Sequence, residues 1–321
     1  MRRFLKQCLP LIDLLLVPIG IMASLGMRVI RRTGVERLPR TLQIFRKFGV
    51  YPIRDHYYEP LFNPAYLRKP LSEDRELPGL DWNVGEQLDL LKQFDFNDEL
   101  LEFPLTQHGD LEYFYNNDAF ASGDAEFLYN IIRFFKPRRI LEIGSGSSTL
   151  LAARAIHANH RDDPGYTCEH VCIEPYEAEW LEKLGVTTIR EPVERLDKSL
   201  FRRLEKNDVL FIDSSHMIRP QGDVLFEYLE ILPILRSGAL IHIHDIFTPK
   251  DYLDEWISQE VRFWNEQYLL EAFLSFNTEF KIIGALNFLK HRFPKELASC
   301  CPVLADQIDL REPGSFWIRR V

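Results

Sequence analysis

The stretch Ile140-Leu141-Glu142-Ile143-Gly144-Ser145-Gly146-Ser147-Ser148-Thr149 constrains this chain more than any other. A short apolar run stops on two glycines and restarts with helical spacing. Glycines let the backbone turn tightly and let a ligand approach the main chain. A strand that turns this sharply into a helix needs a sheet to belong to, and the sequence around it supplies one. Strands are expected at Arg139–Ile143, His170–Ile173, Val186–Ile189, Asp208–Ile212 and Gly238–Ile243. Between them come helices at Ser147–Ala158, Glu177–Leu184, Leu196–Leu204 and Gly222–Leu235. Ahead of the first strand, Ser122 or Asp124 can cap a helix carrying Phe127, Leu128, Ile131, Ile132 and Phe135, which Pro137 ends. Helices around Trp264–Phe276 and a strand at Ser315–Arg319 follow.

Strands alternating with helices predict βαβ units. The expected fold class is therefore α/β: a Rossmann-like, doubly wound, mostly parallel sheet, with an N-terminal hydrophobic helix and an irregular N-terminal extension. Three segments are expected: a hydrophobic, membrane-associated segment at 1–35, an irregular extension at 36–117 packing on the core, and the main domain at 118–321. In the extension, Leu88–Phe94 reads as a short helix. Tyr57, Tyr58, Tyr113 and Tyr115 read as packing against the core, or alternatively as a pocket wall or lid.

Cys8–Met27 is apolar and long enough to cross a bilayer as a helix, which needs about 20 residues. Asp13, Pro10 and Pro18 interrupt it, and membrane helices tolerate such prolines better than soluble ones. A membrane anchor, spanning or lying in the interface, is the first reading. A secretory signal fits less well, because no small-x-small cleavage site precedes Gly26. Residues 1–47 hold ten Lys/Arg against Asp13 and Glu36, a charge of +8, which leaves −17 for the rest of a chain whose net charge is −9. That balance excludes a general nucleic-acid binder. Arg28, Arg31, Arg32, Arg37 and Arg40 suit an anionic surface at one end. Five cysteines, two of them adjacent, show no disulfide framework and point to a reducing compartment.

A carboxylate just before the glycine turn, Glu142, would repel a pyrophosphate but suits a ligand with a cationic amino group. A second carboxylate, Glu174, ends the next strand, where an acid can accept hydrogen bonds from both ribose hydroxyls of a nucleoside. Glu142-x-Gly144-x-Gly146 followed by Glu174 resembles the cofactor site of class I S-adenosylmethionine-dependent methyltransferases. The stretches YNNDAFASGDAEFLY, ILEIGSGSSTLLAA, VLFIDSSH and ALIHIHDIF resemble one bacterial branch of that class, the methyltransferase family 24-like branch, often encoded with polysaccharide-related functions. The resemblance implies that Gly144, Ser145, Gly146 and Ser148 face the methionine part, that Glu142 orders the turn or meets the amino group, and that Glu174 holds the ribose. It makes 118–321 a class I methyltransferase domain.

The strand at Asp208–Ile212 delivers Asp213-Ser214-Ser215-His216, and the strand at Gly238–Ile243 delivers His244-Asp245. If these strands are neighbours, about 4.8 Å apart, their carboxyl ends bring Asp213 and Asp245 to one point. Converging carboxylates and imidazoles suit a divalent cation, Mg²⁺ or another, which would lower the pKa of a substrate hydroxyl. His216 is a plausible general base. The pattern is similar to metal-dependent O-methyltransferases acting on catechols and sugars; it makes His216 and Asp213 catalytic and Asp213, His244 and Asp245 the metal ligands. His244 departs from the acidic residue usual there. His242 is expected to face away from this cluster. Asp223 is expected as a helix-start residue.

The reading is an S-adenosylmethionine-dependent O-methyltransferase acting on a hydroxyl of a saccharide or other polar small molecule. It would be anchored on the cytoplasmic side of a membrane, with a soluble cytoplasmic protein second. The sequence leaves the oligomeric state open. The alternatives are a cephalosporin-hydroxylase-like oxygenase on the same fold and a non-catalytic, membrane-anchored nucleotide-fold module.

Overall fold

Helix α1 (Arg2–Thr33) contains both Pro10 and Pro18. In the computed structural model, which describes residues 2–61, 63–176 and 178–321, the side chains of residues 2–8 lie outside the described part. The expected helix at Glu177–Leu184 begins on a residue outside it. The chain divides into two compact units, 1–69 and 70–321. In the first, α1 is followed by a short 3₁₀ turn and by α2 (Pro39–Phe48), which starts on a proline and stops at Gly49 in the left-handed region. Tyr57 and Tyr58 are exposed, contrary to the expected packing role.

The second unit opens with two short helices, α3 (Val84–Leu91) and α4 (Asn97–Leu101). Tyr113 and Tyr115 are buried here, as packing predicts, and donate hydrogen bonds to the carbonyls of Phe120 and Leu100. Helix α5 (Asp124–Phe135) leads into strand β1 (Arg139–Ile143), helix α6 (Ser147–Asp162) and strands β2 (Glu169–Ile173) and β3 (Thr187–Ile189). Strand β4 (Val209–Ile212), helix α7 (Asp223–Phe226) and strand β5 (Leu240–Ile243) follow. The chain ends with helix α8 (Glu266–Leu274), strand β6 (Phe280–Ala285), helices α9 (Leu286–Arg292), α10 (Pro294–Cys300) and α11 (Pro302–Gln307), and strand β7 (Phe316–Arg320).

The seven strands lie in the order β3-β2-β1-β4-β5-β7-β6; β7 runs antiparallel to both its neighbours and the rest are parallel. Helices cover both faces. Because side chains alternate along a strand, Ile140, Val209, Phe211, Leu240 and Trp317 join the core under α5 and α6. Leu141, Ile143, Leu210, Ile212, Ile241 and Ile243 join the core on the other face.

Local departures from the sequence reading have physical causes. Residues 181–183, 193–195 and 201–203 form single 3₁₀ turns instead of helices, since each has only a few residues with which to nucleate. The helix expected at Gly222–Leu235 starts at Asp223, passes through a π turn at Glu227–Ile231 and ends in a 3₁₀ turn carrying Pro233. Strand β6 was not foreseen: its residues FKIIGA form a short apolar run that periodicity cannot assign.

Candidate active site

The strand order reverses at β1, whose neighbours β2 and β4 lie on opposite sides. Open α/β sheets bind ligands outside the carboxyl ends at such a point. Asp213 donates its N–H to the Ile143 carbonyl at 2.9 Å, and Gly144 donates to Ile173 at 3.0 Å. Gly144 has φ +76°, and a Cβ there would lie 1.9 Å from the Asp213 carbonyl oxygen. Only glycine lets the two strand ends close up. At Gly146 the space a Cβ would take has no protein atom within 4 Å, so the main chain is open to a ligand. Glu174 reaches the turn: its Oε2 accepts the Ser145 N–H at 3.3 Å and its Oε1 the Tyr176 N–H at 2.9 Å. Beside the turn opens a cleft of about 280 Å³, lined among others by Gly144, Glu174, Tyr176, Val193 and Asp213.

Glu142 lies elsewhere. It is buried on the α6 face of the sheet, where Ser148 Oγ donates to its Oε1 at 2.6 Å and His170 Nε2 lies 2.9 Å from its Oε2. Cys172 Sγ is 3.6 Å from the same oxygen. Of the two expected tasks, ordering the turn and meeting an amino group, this arrangement performs the first. Ser148 spends its hydroxyl on it. Burial, with Glu142 beside it, pushes the Cys172 thiol up, so it stays protonated at neutral pH. Among the described residues the cysteines are free thiols.

Asp213, His216 and Asp245 come together, each offering a ligand atom within 4.8 Å of the others. His216 Nε2 lies 3.2 Å from Asp213 and 3.5 Å from Asp245, while its Nδ1 meets Glu266 Oε2 at 2.8 Å. Glu266, wholly buried at the start of α8, thus aims the ring. The His216 carbonyl in turn accepts the N–H groups of Asn265 and Glu266. Both His216 (φ 57°) and Asp245 (φ 58°) adopt left-handed backbone, a strained state for such residues that persists where surroundings hold it. Ser215 is tied to Asp223 through its N–H and hydroxyl, so the helix-start residue also fixes the loop after β4.

His244 sits at the edge of this group. Its Nδ1 is 3.5 Å from Asp213 and 3.6 Å from Asp245, and its Nε2 is 3.7 Å from Asp124. The tightest triad therefore has His216 in the corner where His244 was expected. His242 corrects the sequence reading: residues two apart on a strand share a face, and its ring lies 5.6 Å from that of His244. It stacks on Phe211 at 4.0 Å and meets Ser315 Oγ at 2.8 Å, a packing role.

The electrostatics follow. Burial lowers the His216 imidazole, but hydrogen bonds to Asp213 and Glu266 outweigh this and lift it to about 10. Burial raises the Asp213 carboxyl, yet His244 and His216 hold it well below its ordinary range. At Asp245 burial prevails and the carboxyl rises. Beyond the triad lies a second cavity of about 330 Å³, lined among others by Asn117, Asp124, His244, Asp245, Trp256 and Arg311. Asp213 borders the first cleft and Asp245 the second, so the triad stands between them.

Sequence reasoning missed Glu266, Asp124 and Tyr176. Asp124 accepts the N–H groups of Gly314 and Ser315 and so closes the second cavity. A lone carboxylate opening a helix carries no signal beyond capping. Tyr176, two residues after Glu174, is an exposed aromatic lining the same cleft, and its place just past a strand-ending acid was the available signal.

Residues 141–246 match the methyltransferase-domain family, a span running from β1 to just past Asp245. An uncharacterised protein of the archaeon Archaeoglobus fulgidus is 32% identical over 165 residues, covering 47% of this chain and 73% of its own. Residues 141–246 thus carry a methyltransferase domain. Among solved structures, this methyltransferase is similar to an O-methyltransferase from Bacillus cereus in complex with SAH, at 13% identity and a TM-score of 0.35, over 75% of this chain and 98% of that one. The family implies S-adenosylmethionine as methyl donor. The residues present fit it: Gly144 and Glu174 border one cleft, and the main chain at Gly146, on the same turn, has open space beside it.

Proposed function

We propose that this methyltransferase methylates a hydroxyl group on a saccharide or another polar small molecule, with the acceptor entering through the cavity beyond Asp245. The observation that carries this reading is the position of the Asp213–His216–Asp245 triad between two cavities. One fits a nucleoside. The other, bordered by carboxylates, Asn117 and Trp256, fits a hydroxylated acceptor.

The chain's own residues then have distinct tasks. Glu174 holds the ribose end, and the turn Gly144–Gly146 fixes the methionine end. The donor supplies an electrophilic methyl group. Asp213 and Asp245 orient the acceptor hydroxyl, and positioning of this kind removes much of the barrier. His216 Nε2 faces the same point; raised to about 10, the ring carries a proton at neutral pH, so it takes up the hydroxyl proton only from its neutral form, reached as the pH rises, with Glu266 balancing the imidazolium that results. Two carboxylates and an imidazole, with the far ring nitrogen held by a carboxylate, also suit a hard divalent cation. In that arrangement His216 would give Nε2 to the cation together with Asp213 and Asp245, with His244 adjacent, and would not act as the base; bound there, the cation would lower the pKa of the hydroxyl.

Helix α1 supports anchoring at a membrane; the cytoplasmic side is proposed because the donor is made there. The most apolar 18 residues within Leu9–Thr33 have a mean hydropathy of 2.0, and none of them is buried against protein. Mass spectrometry of cell-envelope glycans and metabolites, with and without the protein, tests the activity. A species lighter by one methylene in the absence of the protein is expected; identical spectra, from a protein that also leaves the donor unbound, contradict it.

A further inference from the structure

The first unit carries thirteen Lys/Arg against four Asp/Glu, and it is built in a way that methyl transfer does not require. The apolar stretch Leu9–Met27 ends at Arg28, and at about 1.5 Å per residue its length approximates a hydrocarbon core of about 30 Å. Arg28, Arg31 and Arg32 follow on the last turns of α1. With Arg54, His56 and one carboxylate, Asp55, they line a groove of about 550 Å³, in which four arginines outnumber the single acid. Arg31 and Arg54 share one carboxylate, Glu59. Among the described residues neither Arg28 nor Arg32 has a carboxylate partner.

Five residues separate α1 from α2, so chain length keeps α2 near the end of α1. Helix α2 reads PRTLQIFRKF and has no buried residue. Leu42, Phe45 and Phe48 recur every third residue, with Ile44 beside them, while Arg40, Gln43, Arg46 and Lys47 occupy the opposite arc. Ile44 and Phe48 are exposed. A short helix with one apolar arc and one basic arc lies in a membrane interface. Among the described residues Arg40, Arg46 and Lys47 also lack carboxylate partners, which leaves their charge for an outside anion.

We infer that residues 28–56 form a binding surface for anionic phospholipid: the Arg28–Arg32–Arg54 groove takes a phosphate-bearing headgroup, and α2 lies in the interface with Leu42, Phe45 and Phe48 toward the acyl chains. This rests on the proposed anchoring by α1 and is independent of the methylation reading. A spanning helix alone needs no particular headgroup, whereas this surface does.

The test uses the full chain added to phosphatidylcholine vesicles and to vesicles of equal parts phosphatidylcholine and phosphatidylglycerol. Amide hydrogen exchange of residues 39–48 is read by mass spectrometry. Exchange should be at least about tenfold slower with phosphatidylglycerol, consistent with the attraction of several basic residues to an anionic surface. Arg40→Glu/Arg46→Glu/Lys47→Glu should abolish the difference while the chain remains vesicle-bound, and Phe45→Ser/Phe48→Ser should do so too. Equal exchange in both vesicles overturns the inference and leaves anchoring by α1 intact. Binding to the anionic vesicles alone supports it and removes the spanning role of α1; binding to neither overturns both. Protection by inorganic phosphate in phosphatidylcholine vesicles, matching that of phosphatidylglycerol, overturns a lipid as the source of the anion.

Discussion

Two polar clusters belong to the same sheet, one within its α6 face and one beyond its carboxyl ends, and both have the ingredients of a metal site. Glu142, His170 and Cys172 form one; Asp213, His216 and Asp245 form the other. The first is sealed: all three residues are buried, and Glu142 is used up by Ser148 and His170. The second opens onto two cavities, and its imidazole is held from behind by Glu266. On the proposed function, similar residue types serve structure in one place and chemistry in the other. What separates them is access, since a carboxylate that borders a cavity can meet a substrate and one enclosed by its own hydrogen bonds cannot.

Substitutions should keep the two clusters apart. The largest effect falls on turnover in the open cluster. Asp213→Ala should reduce kcat by about a thousandfold, within the range of lost acid–base and orienting groups, while the fold stays intact by circular dichroism. A mutant retaining most of its turnover would break the comparison. Next is Gly144→Ala, which forces a Cβ against the Asp213 carbonyl in a left-handed conformation. It should lower the unfolding free energy by about 3 kcal/mol or more, measured by denaturant titration.

The sealed cluster should answer in stability and not in rate. Glu142→Gln removes the acceptor facing His170 and should cost about 1–3 kcal/mol, with turnover of the folded fraction within about threefold of wild type. A folded but inactive Glu142→Gln protein would show that the cluster is not sealed in function. The smallest effect concerns a third buried carboxylate, Glu126, which accepts the N–H groups of Gly123, Val303 and Leu304. Burial lifts it to about 7 despite those bonds. Its folded value therefore lies above its unfolded one, so its contribution to stability is full below about pH 4.5 and is lost as the pH rises through about 7. Thermal melts across that window should show a wild-type decline that is shallower in Glu126→Gln; parallel curves would rule this out.

The sequence reveals most where function needs a particular residue at a strand end. The turn at Gly144, Glu174 after β2, and Asp213 and Asp245 after β4 and β5 all lie where the alternation of strands and helices places them. It reveals less where partners come from far along the chain. Glu266 meets His216 across 50 residues, and no local spacing announces that. Nor does the sequence distinguish Glu142 facing a ligand from Glu142 facing His170, because both sit one residue before the same turn. The 3₁₀ turns and β6 were missed for want of length, since a run of three to six residues fits helix and strand alike.

The most direct test is calorimetric titration of the purified, folded protein with S-adenosylhomocysteine. Wild type should bind one equivalent, and Glu174→Ala should bind at least about tenfold more weakly through the loss of charge-assisted hydrogen bonds to the ribose. No heat from wild type, or equal affinity in Glu174→Ala, would contradict the placement of the nucleoside in the cleft at the ends of β1, β2 and β4.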